Sequence, residues 1–417
     1  MKLEKEKLAL FGGQSIRSTP FPERFLLGEE EKKAVAALFD KAIASGMAIG
    51  YQGQEEEAFC NAFTRFMGGG YADGVNSGTT ALFVSLRALD LEPFTEIIVS
   101  PITDPGGMMP IVMNNCIPVI ADTQPGSLNT GPQEIEKLIT PYTSAIVVAH
   151  IAGEPCDMTG IMKIAKKYKI PVIEDCAQAH GATYKGRLVG TFGKVASFST
   201  MFGKHFCTGG QGGIVYTRSK KIWQRARQMA DRGKPFGLSP GATNCVASLN
   251  FNLNELQAAI GRVQLKKLPG IVRRRRLFVS RLRRAFKNLK AVSIPEPLPG
   301  SQPSYWFLRM RFHPDRVSCD KETFCKALVA EGMPVSASYF HLPHFQDWYR
   351  YRRVFGKSGY PWASPDYRGD RTRIFPCPNA IAGEKVLFRL SISESWKEPE
   401  VRDIWRGFKK VEDFFRK

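Results

Sequence analysis

The chain has 417 residues, 43% of them hydrophobic and 24% charged, the composition of an ordinary soluble globular protein. That length exceeds what one hydrophobic core usually serves, so two domains are expected. Lys and Arg number 59 against 39 Asp and Glu, a formal charge of +20, and no run of about 18 apolar residues is present to form a membrane span.

The opening stretch MKLEKEKLALFGG carries charges but only a very short apolar run, so it does not read as a secretory signal. Nine cysteines are scattered without C-x-x-C spacing, which suits free thiols in a reducing cytoplasm and argues against a disulfide framework or a zinc site. From about residue 70 to 235 short apolar runs alternate with helical patterns. TEIIVS, IPVIAD, SAIVVAHI, IPVIED and GGIVYT read as buried strands, with helices in TTALFVSLRAL, GPQEIEKLI and MTGIMKIAKKYK between them. Such alternation predicts an α/β fold with a mostly parallel sheet covered by helices. Ligands of such sheets bind at the carboxyl ends of the strands, so functional residues are sought there.

Three stretches meet that condition. VNSGTTAL places Asn76, Ser77, Gly78 and Thr79 just before a helical run, where free N–H groups and the helix dipole favour a phosphate; Ser-Gly-Thr is also an ordinary helix cap. IPVIEDCAQAHG ends a strand in two acids, Glu174 and Asp175, one suited to a cationic ligand atom or to capping a turn, with Gln178 three residues on. SFSTMFGKHFCTGGQGG sets Lys204 between a serine-bearing apolar segment and a glycine run. A lysine, a carboxylate and a phosphate cradle are the parts that pyridoxal phosphate needs: a Schiff base, a partner for the ring nitrogen, and donors for the phosphate. The chain has no G-x-x-x-x-G-K-[ST], G-x-G-x-x-G or G-x-S-x-G motif.

The region 254–290 reads as a connecting helix. Ile271, Leu277, Phe278, Leu282, Phe286 and Leu289 recur at roughly helical spacing, while no acid stands between Glu255 and Glu296 and twelve Lys or Arg do. A solvated basic face is the reading favoured here over a nucleic-acid or membrane surface. Beyond it YWFLRMRF, a helix near 320–331, PVSASY, KVLFRLSIS and a final helix suggest a smaller α+β domain, and YRYRRVFGKSGYPWASPDYRGD reads as a long loop. His341 and His344 in HLPH lack a third ligand and are read as loop packing, not metal ligands.

The segments NSGTTALFVSLRAL, IEDCAQAHGATYKGRLVGTFGKVASFS, the lysine stretch and NFNLNELQAAIGRVQLKKLPGI resemble the DegT/DnrJ/StrS family of pyridoxal-phosphate sugar aminotransferases. The likeness runs from LALFGGQSIR to CPNA near residue 380, and the Asp175-to-Lys204 separation fits without a gap. It implies fold type I: an N-terminal arm and large cofactor-binding domain over 1–270, and a connecting helix with a small domain over 271–417. By the same resemblance Lys204 holds the cofactor as a Schiff base and moves the reaction's proton, while Asp175 keeps the ring nitrogen protonated. Gln178 bonds the phenolic oxygen, Ala177 packs on the ring face, and Gly78, Thr79 and Ser199 bind the phosphate. Asn250 matches an asparagine that reaches the phosphate from a neighbouring subunit, which implies a homodimer with shared active sites.

The implied reaction takes an amino group from an amino acid, glutamate first, to a ketone on a nucleotide-linked sugar, with cyclitol ketones as the second acceptor class. The implied setting is cytoplasmic synthesis of polysaccharides or natural-product sugars. Three positions depart from the family pattern: Asp104 where an aromatic residue usually stacks on the ring, Gln211 for an acid, and Asn252 for an arginine. A one-residue slide would place His205 at the lysine position, as in dehydratase relatives; the ungapped spacing favours Lys204. A dehydratase or lyase on this fold, and a regulator binding nucleic acid through the Arg-rich helix, stay open as alternatives at this point.

Overall fold

The computed structural model describes residues 6–339 and 342–417, so His341 lies outside the described residues. The strands Tyr71–Val75 (β1), Glu96–Val99 (β2), Ile117–Ile120 (β3), Thr143–Ala149 (β4), Val172–Asp175 (β5), Val195–Ser199 (β6) and Gly213–Thr217 (β7) form one sheet. Its order is β1-β7-β6-β5-β4-β2-β3, parallel throughout except for β7, which runs against β1 and β6. β2, β3, β6 and β7 are buried along their whole length, as continuous apolar runs require when both faces are covered.

Helices Glu29–Ser45 (α1), Gln54–Phe66 (α2), Gly78–Ala88 (α3), Met158–Tyr168 (α4) and Lys220–Ala230 (α5) accompany this sheet. The first turn of α3 is fixed closely against it. The Ser77 side chain caps that turn by accepting from Thr80 N at 3.1 Å, and a Cβ on Gly78 would stand 2.5 Å from Ser199 Cβ. Only glycine lets the start of α3 press against the end of β6.

The helix Glu255–Ala285 (α6) runs 31 residues, opened by a capping box between Asn254 and Gln257. Leu265 and Leu268 pack in the core beside the large sheet; Phe278, Val279 and Leu282 pack in the next core along the chain. Leu277, expected on the buried stripe, is 48% exposed, whereas Arg275 lies on that stripe and is buried. The second core surrounds the strands Val292–Ser293 (β8), Leu308–Phe312 (β9), Val335–Ser336 (β10) and Leu387–Leu390 (β11), in the order β8-β9-β11-β10. Helices Lys321–Ala330 (α7) and Glu398–Phe415 (α8) cover it. Leu8, Ile16 and Phe21 from the N-terminal arm belong to this second core as well.

The charges of α6 are largely engaged. Arg276 donates to Pro303 O, Gln302 O and Gly181 O at 2.8–3.0 Å, and Arg283 donates to Ile294 O, Pro295 O and Glu296. Arg262 pairs with Glu55 and Lys267 with Glu31. Apart from Tyr349 and Arg350, which end the short helix Asp347–Arg350, the stretch 349–370 is a loop, as its composition suggested. Trp362 and Tyr367 from it pack on Val112 and Ile117 and so cover the open edge at β3. Among the described residues no helix is long and apolar enough to cross a membrane.

Candidate active site

A cavity of about 240 Å³ opens at the carboxyl ends of β4, β5 and β6, against the first turn of α3. Gly78, Thr79, Asp175, Ala177, Gln178, Ser199 and Lys204 all line it, so residues spread over 126 positions meet at one place. The first N–H groups of a helix have no intrahelical acceptor. With Ser77 taking that of Thr80, those of Gly78 and Thr79 face the cavity, beside the hydroxyl of Ser199.

Strand alternation separates the two acids of β5. Glu174 is fully buried and its four acceptor positions are filled: Oε1 accepts from Phe192 N and Gly193 N, and Oε2 from Gly190 N and His150 Nε2. His150 Nδ1 accepts from Cys156 N at 3.1 Å, which leaves its proton on Nε2 for Glu174. His150, Glu174 and Cys176 stand close enough to resemble a metal cluster, yet these bonds leave the carboxylate nothing to offer an ion. Glu174 therefore pins the 190–193 turn. Asp175 points the other way, into the cavity, where among the described residues Oδ1 accepts only from Ala177 N at 3.0 Å. Burial raises its pKa above the ordinary carboxylate range, and Lys204 opposes that.

Lys204 is 7% exposed, and its Nζ stands 3.9 Å from the centre of the Trp306 ring. Burial lowers its pKa to about 8, against the opposing pull of Asp175 and Asp104. His205, the alternative under a one-residue slide, is fully buried; its Nε2 meets Ser304 O at 3.1 Å, and it does not line the cavity. Gln178 is held at both ends: Oε1 accepts from Ala152 N at 2.8 Å, and Nε2 donates to Tyr339 Oη at 2.5 Å. Asp104 lines the cavity mouth with Oδ1 accepting from Gly106 N, and Gln211 lies on the rim. Asn250 is exposed, accepts from the amide of Asn252, and is not among the residues lining the cavity of this chain. His344 is buried with neither ring nitrogen paired among the described residues, and burial lowers its pKa to about 4.

Sequence reasoning missed His150, Trp306 and Tyr339. His150 was findable, since it follows β4 directly and strand ends were the places to look. Trp306 and Tyr339 carry no local signal.

The residues present fit pyridoxal phosphate. A half-buried carboxylate with one N–H partner among the described residues lacks a cation that a protonated ring nitrogen would supply, and the α3 turn offers free donors to a phosphate. The DegT/DnrJ/EryC1/StrS aminotransferase family matches residues 28–367, four fifths of the chain.

The chain belongs to the DegT/DnrJ/EryC1/StrS aminotransferase family.

As a DegT/DnrJ/EryC1/StrS member it is an aminotransferase that works with pyridoxal phosphate. It is 31% identical to L-glutamine:2-deoxy-scyllo-inosose aminotransferase of Micromonospora echinospora, over 97% of both chains. It is 34% identical to dTDP-3-amino-3,6-dideoxy-alpha-D-galactopyranose transaminase of Aneurinibacillus thermoaerophilus, over 66% of this chain and 75% of that one. Among solved structures, an aminotransferase from Psychrobacter cryohalolentis superposes with a TM-score of 0.82 at 27% identity, covering 94% and 98% of the two chains. DesV of S. venezuelae, solved in complex with a ketimine intermediate, superposes at 0.77 with 26% identity, covering 93% and 94%.

Proposed function

We propose that this enzyme moves an amino group from glutamate or glutamine to a ring ketone on a sugar or cyclitol. The observation that carries this is the meeting of Lys204, Asp175 and the Gly78–Thr79 turn on one cavity. Pyridoxal phosphate, when bound, supplies an electron sink for the carbon that bears the transferred nitrogen. Lys204 would hold the cofactor covalently, and its Nζ, neutral in a sizeable fraction near pH 8, is placed to accept and return the proton that the reaction moves. Asp175 would pair with the ring nitrogen and keep it protonated, Ala177 would pack on the ring, and Gln178 would bond the phenolic oxygen with the amide hydrogen not given to Tyr339. Gly78, Thr79 and Ser199 would bind the phosphate.

The family resemblance puts a nucleotide-linked keto-sugar first. The end-to-end likeness to a scyllo-inosose aminotransferase, against partial coverage for the dTDP-sugar transaminase, favours a keto-cyclitol. A cytoplasmic homodimer with Asn250 entering the neighbouring site, and the division into 1–270 and 271–417, belong to the same proposal. The division is drawn inside α6, which passes from one core to the other. The burial of His205 away from the cavity supports an aminotransferase over a dehydratase. Engagement of the α6 arginines speaks against a nucleic-acid regulator.

The test is spectroscopic. Protein mixed with pyridoxal phosphate is expected to gain a visible absorbance band, to lose it on borohydride reduction with the label on Lys204, and to show neither in Lys204→Ala. A wild-type protein that takes up no cofactor would overturn the reading.

A further inference from the structure

Behind the lysine lies a hub of buried charge that the reaction above leaves unused. Glu394, just beyond β11, is 5% exposed and stands between two arginines from distant parts of the chain. Its Oε1 accepts from Arg24 Nη2 at 2.9 Å and Nε at 3.1 Å; its Oε2 accepts from Arg275 Nε at 2.9 Å and meets Nη2 at 2.7 Å. Each arginine turns its remaining N–H groups to the backbone of the site. Arg24 Nη1 donates to Lys204 O at 2.7 Å and Nη2 to His205 O at 3.1 Å. Arg275 Nη1 donates to Tyr305 O at 2.8 Å and Trp306 O at 3.0 Å. Trp306 closes the circuit, with Nε1 donating to Gly203 O at 2.8 Å and its ring under Lys204 Nζ.

The hub therefore grips the lysine's backbone on one side and the backbone of the ring beneath its amine on the other. Burying Glu394 and Arg275, with Arg24 half-buried beside them, is costly, and apolar side chains of similar volume would serve packing at least as well. What the charges add is a fixed relation among four segments: the arm at 24, the turn at 204–205, α6 at 275 and the strap at 305–306.

We propose that Glu394 is a positioning residue for Lys204, acting through Arg24 and Arg275, so that the lysine is placed for the cofactor only when the N-terminal arm and the segment after β11 are both docked. This rests on Lys204 being the cofactor lysine. A reacting amine held off its attack geometry by about 1 Å loses on the order of 10²-fold in rate, so a small slackening of the hub should be visible.

The experiment uses the full chain and pyridoxal phosphate itself, following the growth of visible absorbance across pH, with thermal midpoints in parallel. Glu394→Gln keeps the shape and removes the charge. Arg24→Gln, at a side chain 22% exposed, carries the test should Glu394→Gln not fold. Both are expected to take up cofactor about 10²-fold more slowly and with a displaced pH midpoint, and Arg24→Lys to recover part of the rate. Uptake by Arg24→Gln at the wild-type rate and wild-type pH midpoint, whatever its thermal midpoint, would overturn the proposal. Lys204→Ala separates the two layers. If wild type and Lys204→Ala behave alike, the cofactor assignment falls and the hub's role with it; if only the hub variants match wild type, the hub alone is at fault.

Discussion

Lys204 must be neutral to attack a carbonyl, and burial brings its pKa down to about 8. Cofactor uptake should then rise with pH through a midpoint near 8. Asp104 raises that value, so Asp104→Asn is expected to move the midpoint lower and to speed uptake at pH 7, which stopped-flow absorbance at several pH values would check. An unmoved midpoint would mean that Asp104 acts on something other than the lysine's charge. At the neighbouring strand the residues by themselves showed two adjacent acids without dividing the work between them; only the family resemblance singled out Asp175. The pleat does so, because one faces the cavity and the other faces the turn that needs its N–H groups met. Glu174→Gln puts an amide hydrogen among those donors and is expected to cost about 1–3 kcal/mol of stability in urea unfolding, while leaving the 29-residue Asp175-to-Lys204 relation in place.

At the scale of elements, the parallel sheet and α3 were legible because burial on both faces and a capped amphipathic turn leave plain local patterns. The rotation of α6 was only partly so. Ile271, Arg275, Phe278 and Leu282 recur at i, i+4, i+7 and i+11, and Leu277 falls one place off that stripe. A buried arginine is invisible to a hydrophobicity pattern, since its partner Glu394 lies 119 residues away. The same distance effect hid the use of the basic run as a set of staples to carbonyls of other segments. Two neighbours on α6 test this. Arg276→Ala strips bonds to residues 181, 302 and 303 and is expected to lower stability by about 1–3 kcal/mol. Arg273→Ala, on an exposed position, is expected to stay within about 0.5 kcal/mol. Equal effects of the two in urea melts would return the run to a merely solvated face.

Over the whole molecule, residues from the arm, the large sheet, α6 and the second core converge on one lysine. Trp306 reaches it from the second half of the chain and Tyr339 reaches its neighbour Gln178, which is why no motif announced them. The same compactness buries charge far from the site. Burial lifts Asp73 to about pKa 7, with Arg227 opposing, from 3.8. A folded pKa above the unfolded one means that stability is lost as pH rises from about 4 to 7 and stays lost above it. Asp73→Asn should therefore exceed wild type in urea midpoint at pH 8.5 and match it below pH 4; equal midpoints at both would place the proton elsewhere. The proposal that all of this supports is transfer of nitrogen under the control of Lys204. Its most direct measurement gives the cofactor-loaded protein glutamate or glutamine labelled with heavy nitrogen at the α-amine, together with keto-cyclitols and nucleotide-linked keto-sugars, and reads product masses. A ring amine carrying the label, absent in Lys204→Ala, is the expected product; consumption of the ketone with loss of oxygen and no label in the product would contradict nitrogen transfer.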